Sequence, residues 1–355
     1  MMRAFRNSAW CAAWLAALAP APQAVAQSGD STGWEMLRRA DLQLASIGFR
    51  LSVAAAPLCD RLEPGLGIQF HTLAQYMPDA RTQVRAHFRF SGPVAVEGVV
   101  PDSPAARAGI EADDTVTAIN GVPIADEPNG PASTARLAGL HAQLARLPPA
   151  TPIELTLNRS GRELRRRVVP LPACFSRYEL RIDDDFDARA NGELVQVTSK
   201  YLEAVDANLL PAVIAHELSH NILQHRARLS AAGAQFGIAS GLGRNLGLFR
   251  QTEIEADILA VHLLARAGYS PALAARFWLE AGPKLLAGKM RSRSHPPLRD
   301  RVAIAAAEAA RFEGAAAVPP PAFVAARNTA LNGNWQQYLK PVRAREKQER
   351  SPPEN

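Results

Sequence analysis

The spacing of apolar positions changes character three times along this chain of 355 residues. Leu37, Ala40, Leu44, Ile47 and Leu51 recur at steps of three and four, which places them on one face of a helix, and Pro57 and Pro64 close that stretch. From Gly67 to about Pro172 the texture becomes short β-branched or alternating runs: Gly67-Ile68-Gln69-Phe70, Val94 to Val100, Thr115 to Ile119 and Ile153 to Asn158. Asn120-Gly121 and Ser160-Gly161 supply tight turns between them. One helix, Thr134 to Leu147, interrupts the strands with Leu137, Leu140 and Leu144 on one side.

Beyond Cys174 the pattern turns helical. Asn208 reads as an N-cap and Pro211 as a first-turn residue of a helix running from Leu209 through Arg226. Thr252-x-x-Glu255 reads as a capping box opening a second helix that ends at Ala267, before Gly268. The glycine-rich stretch Gly233 to Gly247 between them is expected to be a loop or helix beside the site the two helices form. After Val318, Pro319-Pro320-Pro321 leads to a charged segment, Arg343 to Asn355, with the composition of a disordered tail. The pattern predicts an α+β chain: a mostly helical domain with a small sheet (27–62 and 173–315), a β-rich module inserted at 63–172, and a tail at 316–355.

The first 26 residues carry an address. Arg3 and Arg6 precede the apolar run Ala9 to Ala19, Pro20 and Pro22 break it, and Ala24-Val25-Ala26 gives a small-x-small cleavage pattern before Gln27. The run is short for a membrane-spanning anchor, the alternative reading. A Trp directly before Cys11 does not suit a lipoprotein site. Removal of residues 1–26 is therefore expected, with the mature chain outside the cytoplasm and at most in peripheral contact with a membrane.

Composition narrows the partners. Apolar residues make up 47% and charged residues 21%, enough for a large core and unlike a disordered chain. A net charge of +6, without long basic runs, argues against a nucleic-acid partner. Export also changes the reading of the two cysteines left after cleavage. Cys59 and Cys174 flank the β-rich module, and in an oxidising compartment they are expected to close a bridge at its base, buried free thiols being the alternative.

The chemistry concentrates in two segments. His216-Glu217-Leu218-Ser219-His220 sets two histidines one helical turn apart, so that both imidazoles can meet one zinc ion, with Glu217 beside them to take a proton from water. Tetrahedral zinc needs a third protein ligand, and Glu253, four residues before Asp257 on the next helix, offers it. Asp257 would hold the outer N–H of a zinc histidine. Glu255 fits a solvated capping role. His225 lies five residues past His220 and rotates away from the zinc face, and both it and His262 read best as core or surface histidines.

Ala212 to His220, then Glu253-x-Glu-Ala-Asp257, then Ser294-His295-Pro296, resembles the HtpX/BepA-like bacterial zinc metallopeptidases, gluzincins related to the CAAX prenyl protease, over roughly Ser176 to Ala310. The resemblance implies a zincin-like fold, one Zn2+ per chain held by His216, His220 and Glu253, and Glu217 as general base. It implies a strand at Asn191 to Val195 bordering the substrate cleft. His295 is implied either to assist catalysis or to block the metal in a latent state; Arg299, one turn further along, reads either as binding the substrate carbonyl or as pairing with an acid.

A second resemblance covers the module. Gly65-Leu66-Gly67-Ile68-Gln69-Phe70, Val99 to Ile110 and Asp114 to Gly121 are similar to a PDZ domain. It implies that the backbone N–H groups of Leu66, Gly67 and Ile68 cradle a peptide carboxylate; Thr72 to Phe90 is longer than this fold needs and is expected to cover the groove. Together the resemblances imply a periplasmic endopeptidase acting on misfolded envelope proteins, with a PDZ domain for substrate or partner recognition. The competing expectation is a periplasmic chaperone or PDZ adaptor whose zinc site is latent or structural.

Overall fold

The computed structural model describes residues 31–126, 130–286, 294–315 and 317–350; the expected leader and its cleavage point lie outside them. Helix α1 (Ser31–Ala55) buries Leu44, Ile47, Leu51 and Ala55 in the main core. Its amino-terminal turn inserts Trp34 into a separate aromatic cluster with Tyr76, Phe88 and Phe90. The same helix thus touches both bodies of the protein.

After α1, strand β1 (Leu62–Gly65) leads into the module. Its elements are β2 (Ile68–Thr72), α2 (Arg81–His87), β3 (Val94–Val99), β4 (Thr115–Ile119), α3 (Ala135–Leu144), β5 (Ile153–Arg159) and β6 (Arg162–Val168). The sheet runs in the order β2-β3-β4-β5-β6, every pair antiparallel, which leaves the outer edge of β2 open beside α3. The chain returns on β7 (Leu171–Cys174), which pairs antiparallel with β1, Leu62 opposite Cys174. A disulfide joins Cys59 and Cys174 there, with Cα atoms 5.6 Å apart. In the segment Thr72 to Phe90, Val84, Phe88 and Phe90 pack with Trp34 of α1, while Gln75 and Tyr76 line the cavity beside β2.

A three-stranded sheet follows: β8 (Arg177–Arg181), β9 (Ala188–Ala190) and β10 (Leu194–Thr198), in the order β9-β10-β8. Strand β10 lies parallel to β8 and antiparallel to β9. Helix α4 (Leu210–Ile222) packs against it; α5 (His225–Ala231), α6 (Gly243–Arg266) and α7 (Leu273–Glu280) pack on α4, and α8 (Leu298–Ala309) on α6 and α7, before α9 (Leu339–Arg350). Helix α4 is buried on nearly all sides, which suits its unbroken apolar run Leu210 to Ala215. Among the described residues no helix is long and apolar enough to cross a membrane.

Four expectations change. The helix expected from Leu209 through Arg226 is two helices, broken at Gln224, whose φ of 53° is left-handed. Asn208 does not cap α4; Leu209 holds that position without a side-chain bond, and Pro211 starts the turn. Thr252 and Glu255 do not open a helix, since α6 begins at Gly243 and carries both in its buried interior, where the Thr252 hydroxyl donates to the Phe249 carbonyl at 2.7 Å. The segment after Val318 is no loose tail. Val324, Leu331 and Leu339 are buried, and the chain crosses α6 so closely that a β-carbon on Gly247 would lie 2.8 Å from the Gly333 carbonyl oxygen.

Between module and main body lies a cavity of about 150 Å³, lined in part by Ile68, Phe70 and Leu137 on one side and Asp41, Phe49 and Glu179 on the other. Burial, with Glu179 nearby, outweighs a hydrogen bond from the Leu180 amide and raises the Asp41 carboxyl from 3.8 to about 7. Such a group keeps its proton in the folded chain over a pH range where the unfolded chain has lost it, so its cost to stability grows from about pH 4 and is complete above pH 7. Asp41→Asn is therefore expected to melt higher than the wild type at pH 8, the gap narrowing as the pH falls and closing near pH 4. A gap independent of pH in thermal denaturation would contradict this placement of the acid.

Candidate active site

Helix α4 carries His216 and His220 on one face, their Nε2 atoms 3.1 Å apart. Helix α6 crosses α4 and brings Glu253 against them: Oε2 lies 3.5 Å from His216 Nε2 and Oε1 3.7 Å from His220 Nε2. One ligand atom from each of the three lies within 4.8 Å of the others. Two imidazole nitrogens and a carboxylate turned to one point, beside a cleft of about 620 Å³, form a donor set that fits zinc with a position left for water or substrate. Glu217 lines the same cleft and is 8% exposed.

Behind this cluster the charges are paired. Asp257 Oδ1 is 2.9 Å from His216 Nδ1. Arg301, from α8, grips both oxygens of Asp257 at 2.7 and 2.8 Å, and its Nη2 reaches Glu253 Oε2 at 3.1 Å. The guanidinium lies 3.5 Å over the ring centre of Trp278, whose Nε1 donates to Asp257 Oδ1 at 3.0 Å. Burial opposes a charge on His216, yet Asp257 and Glu253 beside it prevail and push it up to about 9. Burial also resists ionisation of Asp257, but Arg301 and His216 hold its carboxyl below the usual range. At Glu217 burial outweighs the charges of His216 and Arg301 and, with Glu253 and Asp187 nearby, raises the carboxyl to about 7.

The other expected residues are spread more widely. His295 sits at the rim, its side chain 48% exposed, with Nε2 3.7 Å from Glu253 Oε2, and it is not among the three converging ligands. Arg299 is 84% exposed beside Asp300 and does not face the cleft. Arg301, which does reach the site, was missed by sequence reasoning. Its signal was its place three and four residues before Ile304 and Ala305, the buried face of α8. His262 bonds Glu308 at 2.6 Å, away from the cluster. Glu255 is not a solvated cap but is 1% exposed. His225 does not rotate away, since its Nδ1 is 2.8 Å from His220 Nδ1. The strand bordering the cleft is β9, not Asn191 to Val195. Gly192 turns at φ 103°, and Leu194 and Val195 begin the inner strand β10.

Leu66, Gly67 and Ile68 lie at the start of β2, on the cavity shared with α1. Gly67 has a φ of +74°, and a β-carbon there would collide with the Ser103 side chain, so the loop requires glycine.

A pair of helices that turns two histidines and a glutamate to one point, with an acid beside them, is the arrangement a metallopeptidase site requires. Residues 162–309 match the model of peptidase family M48, and residues 96–140 match that of a PDZ domain. The chain thus carries a region similar to the M48 metallopeptidases and, ahead of it, one similar to PDZ domains. No curated protein matches it. Among solved structures, the HtrA3 PDZ domain bound to a phage-derived ligand (FGRWV) is 22% identical with a TM-score of 0.24, over 32% of this chain and 90% of that one. The serine endoprotease from Yersinia pestis is 26% identical with a TM-score of 0.18, over 22% of this chain. The match spans 25% of the Yersinia pestis chain.

Because Asp257 is buried and Arg301 grips both its oxygens, Arg301→Ala is expected to destabilise the fold by about 3–5 kcal/mol, the usual cost of breaking a buried pair by removing one partner. Denaturant titration checks this, and a loss below about 1 kcal/mol would show that the pair is not isolated from water as described.

Proposed function

We propose that this chain is an exported, zinc-dependent endopeptidase of the periplasm that hydrolyses peptide bonds in misfolded envelope proteins and uses its PDZ domain for substrate or partner recognition. The observation that carries the reading is the convergence of His216, His220 and Glu253 within 4.8 Å beside Glu217. The leader pattern of residues 1–26 supports export, and so does the Cys59–Cys174 bridge, since such bonds persist in oxidising compartments.

His216, His220 and Glu253 would hold one zinc ion, which when bound supplies Lewis acidity towards water and the substrate carbonyl. Glu217, raised to about 7 mainly by burial, is suited to take a proton from the attacking water and to return it to the leaving amine. The substrate backbone fits along the open edge of β9, as an added strand would. His295, at the rim beside Glu253, would assist at the carbonyl oxygen. In the PDZ domain the Leu66, Gly67 and Ile68 amides suit a peptide carboxylate, with the ligand pairing along the free edge of β2 and an apolar side chain resting on Phe70, Leu137 and Leu144.

Purified residues 27–355 are expected to cleave an unfolded reporter protein, and Glu217→Gln to lose about 100-fold or more in kcat while still binding zinc. Cleavage by neither, with both suppressing aggregation of the reporter, would favour the chaperone reading in which His295 keeps the site latent.

Peptides ending in a free acid and an apolar residue are expected to bind the full chain, and their amidated forms to bind at least tenfold more weakly. Equal binding of the two forms, read by fluorescence polarisation, would remove the carboxylate role from residues 66–68.

A further inference from the structure

We propose that His225 and Glu255, closed over by the C-terminal segment, are positioning residues that set the tautomer and orientation of His220 as a metal ligand. The inference rests on the zinc reading of His216, His220 and Glu253. Its starting point is the proton inventory around Glu255. That carboxylate receives Arg228 Nη1 at 3.0 Å on Oε2, and on Oε1 the Gln251 side-chain amide at 2.7 Å and the Tyr338 hydroxyl at 2.9 Å. The Gln251 orientation is fixed, because its carbonyl oxygen accepts the backbone N–H groups of Asn332 and Gly333 at 3.2 and 2.8 Å.

Each of these donors leaves Glu255 as a pure acceptor, so His225 Nε2, 3.2 Å from Oε2, must carry its proton towards it. His225 Nδ1 is then the acceptor of the neutral ring, and His220 Nδ1, 2.8 Å away, must be the N–H that donates to it. With Nδ1 protonated, the lone pair of His220 is on Nε2, the atom facing His216 and Glu253. His216 is held directly by Asp257. His220 is held through one intervening imidazole by Glu255.

The backbone is arranged for this contact. Five residues along a continuous helix would turn a side chain about 140° from His220. Gln224, at φ 53° and ψ 33°, breaks α4 and starts α5 at His225, which brings the ring back beneath His220. The outer wall is the C-terminal segment: Tyr338 bonds Glu255, Asn332 and Gly333 hold Gln251, and the Thr329 carbonyl accepts Arg228 Nε at 3.1 Å.

The test measures zinc affinity of residues 27–355 by competition with a chromophoric chelator, and the visible spectrum of the cobalt(II)-loaded protein. His225→Ala is expected to weaken zinc binding about 10–100-fold and to shift the cobalt bands. His225→Gln, whose side-chain carbonyl can accept from His220 Nδ1–H, is expected to recover a large part of both. Tyr338→Phe, which removes one donor at the far end, is expected to weaken binding severalfold. Thermal melts of the metal-free proteins identify any variant that does not fold, and the glutamine and phenylalanine variants then carry the test. Folded variants with wild-type affinity and spectra would overturn the relay alone. A wild type that takes up no zinc would overturn the metal reading and the relay with it.

Discussion

Helix α6 drives three carboxylates, Glu253, Glu255 and Asp257, into the interior, and the peptidase domain is organised around the need to pair each one. An isolated buried carboxylate is too costly to persist, so every neighbouring element contributes a partner. Helix α4 supplies His216 and His220, α5 supplies His225 and Arg228, and α8 supplies Arg301. Residues four apart on α6 share a face, so Glu253 and Asp257 meet α4 together while Glu255 points to the opposite side. This geometry explains why the C-terminal segment is needed: it covers the side of α6 that α4 cannot reach.

The two histidines consequently sit in different electrostatic settings. His216 has a carboxylate in direct contact, and that carboxylate is itself tied to Arg301 and Trp278. For His220 the corresponding negative charge lies one ring further away, and burial dominates, which lowers its proton affinity. At Glu217, between them in sequence, burial outweighs the charges of His216 and Arg301 and raises the carboxyl to about 7. The general-base role proposed for Glu217 calls for a group that releases its proton as readily as it takes it, and this environment suits that role.

Much of this was legible in the sequence wherever local spacing decides structure. The strands Val94 to Val99 and Thr115 to Ile119, the helix Ala135–Leu144 and the one-turn separation of His216 and His220 all follow from periods of 2 or 3.6 residues. What was not legible depended on long-range partners. Thr252 and Glu255 carry the local signature of a helix start, but Leu248 and Gln251 have burial sites that extend α6 backwards to Gly243. His225 was misjudged because a left-handed glutamine is invisible to a helical wheel. The charged composition after Val318 hid three buried side chains, Val324, Leu331 and Leu339, spaced too irregularly to form a periodic pattern.

The crossing point at Cys59 and Cys174 has a bearing on how such a protein can be assembled from parts. The two positions are 115 residues apart in sequence and 5.6 Å apart in space, so everything between them forms a ring hung from one covalent clasp. A gap that small is spanned by two residues of extended chain. Excising the ring would leave the path of the peptidase chain almost unaltered, and any other domain with adjacent termini could hang from the same clasp. In this architecture the PDZ module hangs from the clasp as an insertion, and the path of the remaining chain is continuous across it.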